Sequence, residues 1–78
     1  RLHSEGELAG MPDLCVLEAK NGFHALFVEM KTKAGVVSAN QSAVGLQLNA
    51  KGYRSVVARS AADAIKTIED YLNGKKHH

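Results

Sequence analysis

The chain has 78 residues, 45% of them hydrophobic and 23% charged, with a formal net charge of +2. A chain of that length makes one small domain over residues 1–78, burying only about 60–65% of the surface its unfolded form exposes, and no run of about 18 apolar residues could span a membrane. The charge is too mild to mark a nucleic-acid binder by itself, and the lone cysteine, Cys15, allows no internal disulfide, which points to a reducing, intracellular and cytoplasmic setting.

The first dozen residues, with Gly6, Gly10 and Pro12, have no periodicity and read as an irregular approach. Leu14 to Ala19 reads as a strand with Cys15 buried in it, and Asn21-Gly22 is a hairpin-turn signal because both residues tolerate positive φ. The return strand, Ala25 to Lys31, alternates: Leu26, Val28 and Met30 share one face, and Phe27, Glu29 and Lys31 the other. Gly35 breaks the chain before a helix over Ser38–Lys51, with Ser38 as N-cap and Gln41 completing a capping box. Gln41, Val44 and Leu48 share a stripe there, with Leu46 and Ala50 widening its apolar surface, and Gly52 is a left-handed stop. Ser55 to Ala58 makes a third strand. Ser60 caps a last helix, with Asp63 at the box position, on which Ala61, Ile65, Ile68 and Leu72 form the amphipathic face. Gly74 ends it. The start at Arg1 suggests that the original N-terminus is missing, and His77-His78 after Lys75-Lys76 reads as the end of a purification tag.

The order strand, strand, helix, strand, helix predicts an α/β fold: a small mixed sheet flanked by helices. The hairpin is antiparallel, and the helix is long enough for a crossover to a third strand parallel to the second. In that arrangement the start of the first strand lies beside the end of the second, so Asp13 approaches Glu29 and Lys31. Two carboxylates with the Met30 carbonyl between them form a hard oxygen site suited to Mg²⁺ or Mn²⁺. A cation there would bind a scissile phosphate, lower the pKa of a water and neutralise developing charge, with Lys31 at the edge of the site. Phosphodiester hydrolysis asks for these parts and few others.

Gly10-Met11-Pro12-Asp13-Leu14, then Val28-Glu29-Met30-Lys31, then Gly35…Ser38…Gln41 and Gly52-Tyr53 resemble the VRR-NUC branch of the PD-(D/E)XK nuclease superfamily. The ordered set Gly-x-Pro-Asp-Leu, Glu-x-Lys, Gly-x-x-Ser-x-x-Gln and Gly-Tyr is matched over about residues 10 to 72. The resemblance implies a restriction-endonuclease-like core and a metal-dependent endonuclease acting on duplex or branched DNA, four-way junctions included. It implies Asp13 and Glu29 as metal ligands, Lys31 as the catalytic lysine and Gln41 as a helix residue facing the site. An N-terminal helix of the family can add a glutamate, for which Glu5 and Glu7 are the candidates here.

Each of these residues also has a plainer reading. Glu29 and Lys31 alone could be the polar face of an edge strand, and Gln41 could serve only the cap of its helix. Lys33, Lys51, Arg54 and Arg59 read as solvated surface before DNA contacts, His3 and His24 as isolated residues rather than ligands for a soft metal, and Tyr53 and Tyr71 as packed on the sheet. At the level of function, the alternative is a non-catalytic DNA-binding or assembly module that keeps the fold. The small core, and the need to cut two strands, predict a homodimer.

Overall fold

In the computed structural model, which describes residues 10–74, the fold begins from its tightest turn. Asn21 (φ 51°) and Gly22 (φ 85°) both take left-handed backbone, and Lys20 and Phe23 exchange backbone hydrogen bonds of 3.1 and 2.8 Å. Two positive φ values give the turn the twist that flanking strands need. It joins β1 (Leu14–Val16) to β2 (Leu26–Met30), which pair antiparallel with Leu14 opposite Val28 and Val16 opposite Leu26.

Both strands are shorter than the sequence suggested. Three residues separate Val16 from Lys20 but only two separate Phe23 from Leu26, so the first arm carries one residue too many for a continuous ladder. The released groups find other partners. The Glu18 carbonyl accepts from the Tyr71 hydroxyl at 2.5 Å, and the His24 N–H donates to the Gly52 carbonyl at 2.9 Å.

Helix α1 (Ala39–Ala50) starts at Ser38 with the expected capping box. It ends through paired bonds characteristic of a left-handed glycine stop: Tyr53 N–H to Leu48 O at 2.9 Å and Gly52 N–H to Asn49 O at 3.2 Å, with Gly52 at φ 93°. The chain then enters β3 (Arg54–Ala58), parallel to β2 from Leu26↔Arg54 to Met30↔Ala58. Among the described residues the sheet runs β1-β2-β3, the mixed α/β arrangement expected. No helix there is long and apolar enough to cross a membrane.

Helix α2 (Ala61–Leu72) covers the even face of β2. Leu26, Val28, Ala58, Ala64 and Tyr71 form the core, with Val16, Phe23, Met30, Val56 and Ile68 packed against it. Here the expected stripe is corrected. The helix buries Ala64, Thr67 and Tyr71, whereas Ile65 and Leu72 are 57% and 40% exposed and Ala61 is exposed; of the expected set only Ile68 joins the core. Counting aliphatic residues alone selects the neighbouring stripe, about 100° round the helix. Tyr71 buries the largest ring, its hydroxyl has a carbonyl to reach, and Ala64 lets the backbone approach the sheet.

Three further expectations change. Leu46, 71% exposed, and Ala50, also exposed, do not widen the packed face of α1. Asp63 does not close the box on Ser60; its carboxylate accepts from the Arg59 N–H at 3.0 Å, while the Ser60 hydroxyl caps Asp63 N–H as expected. Cys15 is exposed rather than buried: it lies on edge strand β1, and the pleat turns it away from the face that α2 covers. The shielding it retains pushes its thiol pKa up, away from thiolate. The expectations for His3, Glu5, Glu7, His77 and His78 fall outside the described residues.

Candidate functional site

The pleat of β2 sends Val28 into the α2 core and turns Glu29 to the opposite face, under α1. Glu29 is only 7% exposed. Its Oε2 accepts from Gln41 Nε2 at 2.6 Å and lies 3.5 Å from Lys31 Nζ. Its Oε1 is buried with no hydrogen-bond partner. A buried acceptor left unmade costs about 1–3 kcal/mol, a penalty at Oε1 that the contacts of Oε2 do not remove. Its two restraints on one oxygen fix the direction of the other.

Gln41 reaches both the cap and Glu29, through the two ends of one amide. Its Oε1 accepts from the Ser38 N–H at 3.0 Å, while its backbone N–H donates to Ser38 Oγ at 3.1 Å. That leaves Nε2 for Glu29. The cap therefore orients the amide, and the amide orients the carboxylate.

Asp13 sits just before β1, and its Oδ2 accepts from the Met30 N–H at 2.9 Å. The hairpin thus brings Asp13 to the end of β2. In a strand the N–H and C=O of one residue face the same edge, so the Met30 carbonyl lies on the Asp13 side. Lys31 is held from the other side, its N–H donating to the Ala58 carbonyl at 2.9 Å. Asp13, Glu29, Lys31 and Gln41 are therefore gathered at one end of the sheet.

Gly10 explains how the approach segment reaches this place. It has φ +87°, and a Cβ there would fall 2.6 Å from the Asn40 backbone, so residues 10–12 pass directly against the start of α1. Beside them opens a cleft of about 260 Å³, lined among others by Pro12, Glu29, Gln41, Ser42 and Ser55. Glu29 forms part of its wall.

Two polar contacts were not visible in the sequence. Asn49 Oδ1 accepts from the Ser55 N–H at 3.0 Å, tying the end of α1 to β3. Arg59 Nη1 donates to the Thr32 carbonyl at 3.0 Å and also to the Gly35 carbonyl. No local pattern signals a bond spanning 24 or 27 residues. The nearest hint was the strand end at Ala58, which places Arg59 beside the loop leaving β2. Tyr53 packs as expected, edge-on to Phe27 at 5.5 Å, and the His24 ring lies 5.3 Å from that of Tyr53.

Comparison with known proteins places this geometry. A solved structure described as a VRR-NUC domain protein is 30% identical, with a TM-score of 0.80 over 83% of this chain and 55% of that one. The present chain thus spans about half the length of that relative. No curated protein sequence matches. The VRR-NUC domain pattern matches residues 3–62, a span that includes Asp13, Glu29, Lys31 and Gln41. On that match and the shared backbone, the chain belongs to the VRR-NUC family of nuclease domains.

Proposed function

We propose that the chain is a divalent-cation-dependent DNA endonuclease that hydrolyses phosphodiester bonds, with a preference for branched DNA such as flaps or four-way junctions. The observation that carries this reading is the buried, partnerless Oε1 of Glu29, in a carboxylate flanked by Lys31 and next in sequence to the residue that Asp13 grips. A cation suits that donor set. Glu29, Asp13 and the Met30 carbonyl are hard oxygens, the chemistry Mg²⁺ and Mn²⁺ prefer. Bound there, either ion would supply Lewis-acid polarisation and charge neutralisation at a phosphodiester.

The chain's own groups do the rest. Gln41 Nε2 holds Glu29 Oε2 and keeps the carboxylate from rotating. Asp13, fixed through Oδ2 by the Met30 N–H, would offer its other oxygen as a ligand. Lys31 Nζ, a donor without acceptor capacity, orients an attacking water or a phosphoryl oxygen and offsets charge that develops there.

Timed cleavage of end-labelled duplex, flap and four-way-junction DNA tests the proposal, with Mg²⁺, with Mn²⁺ and with chelator. Cleavage that needs the cation and is fastest on a branched substrate is expected. Binding of all three DNAs without cleavage under any of these conditions would instead identify an assembly or binding module.

The reading extends to a homodimer. A core this small is marginal on its own, Ile65 and Leu72 leave apolar surface on α2, and two strands of a branched substrate require two sites. Light scattering at micromolar concentration should give the mass of two chains; the mass of one chain contradicts pairing.

A further inference from the structure

Lys31 is the last residue of its segment that the sheet holds. Beyond its bond to Ala58 the chain leaves β2 and crosses residues 32–37 before the Ser38 cap. Within that loop the Gly35 N–H closes a turn on the Thr32 carbonyl at 3.1 Å. Arg59 closes it from outside: its Nη1 bridges the Thr32 and Gly35 carbonyls. The base of this clamp is itself fixed. Arg59 directly follows Ala58, the register partner of Met30, and its N–H is bonded to the Asp63 carboxylate in the first turn of α2.

We propose that Arg59 is a positioning residue for the site, acting through the loop that joins Lys31 to the Ser38–Gln41 cap. This rests on the nuclease reading above. The loop is anchored at one end by the lysine that faces Glu29 and at the other by the amide that grips the same carboxylate. Holding its two carbonyls from the end of β3 sets the spacing of both groups. The planar guanidinium can direct two N–H groups from one nitrogen at two carbonyls in fixed directions, whereas a lysine ammonium on its flexible stem cannot reproduce the fork. With Nη1 committed to two protein carbonyls, the role proposed for Arg59 is to hold the loop rather than to contact phosphate.

The test uses Arg59→Lys and Arg59→Ala beside the wild type and Lys31→Ala. Turnover should fall roughly 10- to 100-fold in both Arg59 variants, the cost of a displaced supporting group. KM, DNA affinity and its salt dependence should stay near wild type even in Arg59→Ala. Amide exchange at Gly35 should accelerate in both, a readout independent of cleavage. Three results would overturn the proposal: unchanged exchange at Gly35, faster exchange with wild-type turnover, or a DNA-binding salt slope reduced by about one in Arg59→Ala, the mark of a lost phosphate contact. A failure of the nuclease reading looks different, since the wild type itself would then not cleave.

Discussion

Replacing Glu29 with glutamine should remove divalent-cation binding and cleavage together while leaving the fold intact. The two side chains have nearly the same volume, and the glutamine oxygen can still accept from Gln41 Nε2, so the packing under α1 is kept. What goes is the charge of a buried carboxylate, its side chain only 10% exposed, with one oxygen unpartnered. Removing it relieves a desolvation cost and loses the pair with Lys31 at 3.5 Å. Those effects oppose each other, so stability without metal should change by no more than about 1 kcal/mol. Catalysis has no such compensation. A neutral amide is a poor ligand for a hard cation, and cleavage should fall by ~10³-fold or more. Calorimetric titration with Mn²⁺, a thermal melt and timed cleavage read the three effects. Wild-type Mn²⁺ affinity in Glu29→Gln would remove Glu29 from the ligand set.

Lys31→Ala should separate what Glu29→Gln removes at once. The ammonium cannot ligate a cation while protonated, and its pairing with Glu29 competes with metal rather than supporting it. Metal affinity should therefore hold or rise slightly. DNA affinity should change little, because one phosphate contact among several is a small part of the total. Cleavage should nevertheless fall by ~10²-fold or more, the loss expected when a group that stabilises charge or handles a proton is deleted. Single-turnover rates at saturating Mn²⁺ measure this without interference from binding. An unchanged rate would mean that Glu29 and Lys31 are only the polar end of a strand.

The parts of this fold that were legible in the sequence are those decided by a few adjacent residues. Asn21-Gly22 can take two positive φ values, Ser38 and Gln41 can close a reciprocal cap, and Gly52 can stop a helix; each did so. The meeting of Asp13 with the end of β2 followed from the hairpin alone. What was hidden depends on distant groups or on more than hydrophobicity. The face of α2 turned on the Tyr71 hydroxyl finding a carbonyl 53 residues away, which no aliphatic count can weigh. The strand ends were shortened by one surplus residue in the first arm, a mismatch visible only once register is known. Arg59 looked like solvated surface because its partners, Thr32 and Gly35, lie on another element. Gln41 was legible as a cap and, through the family resemblance, as a residue facing the proposed site; one amide bonds both Ser38 and Glu29.

The central claim is that Asp13, Glu29 and Lys31 form one cation-dependent phosphodiesterase site. Its most direct test measures Mn²⁺ binding and single-turnover DNA cleavage on the same samples of wild type, Glu29→Gln and Lys31→Ala. The account predicts that the wild type binds and cleaves, that Glu29→Gln does neither, and that Lys31→Ala binds the ion without cleaving at an appreciable rate. Equal cleavage by all three proteins, persisting when the cation is chelated, would contradict it.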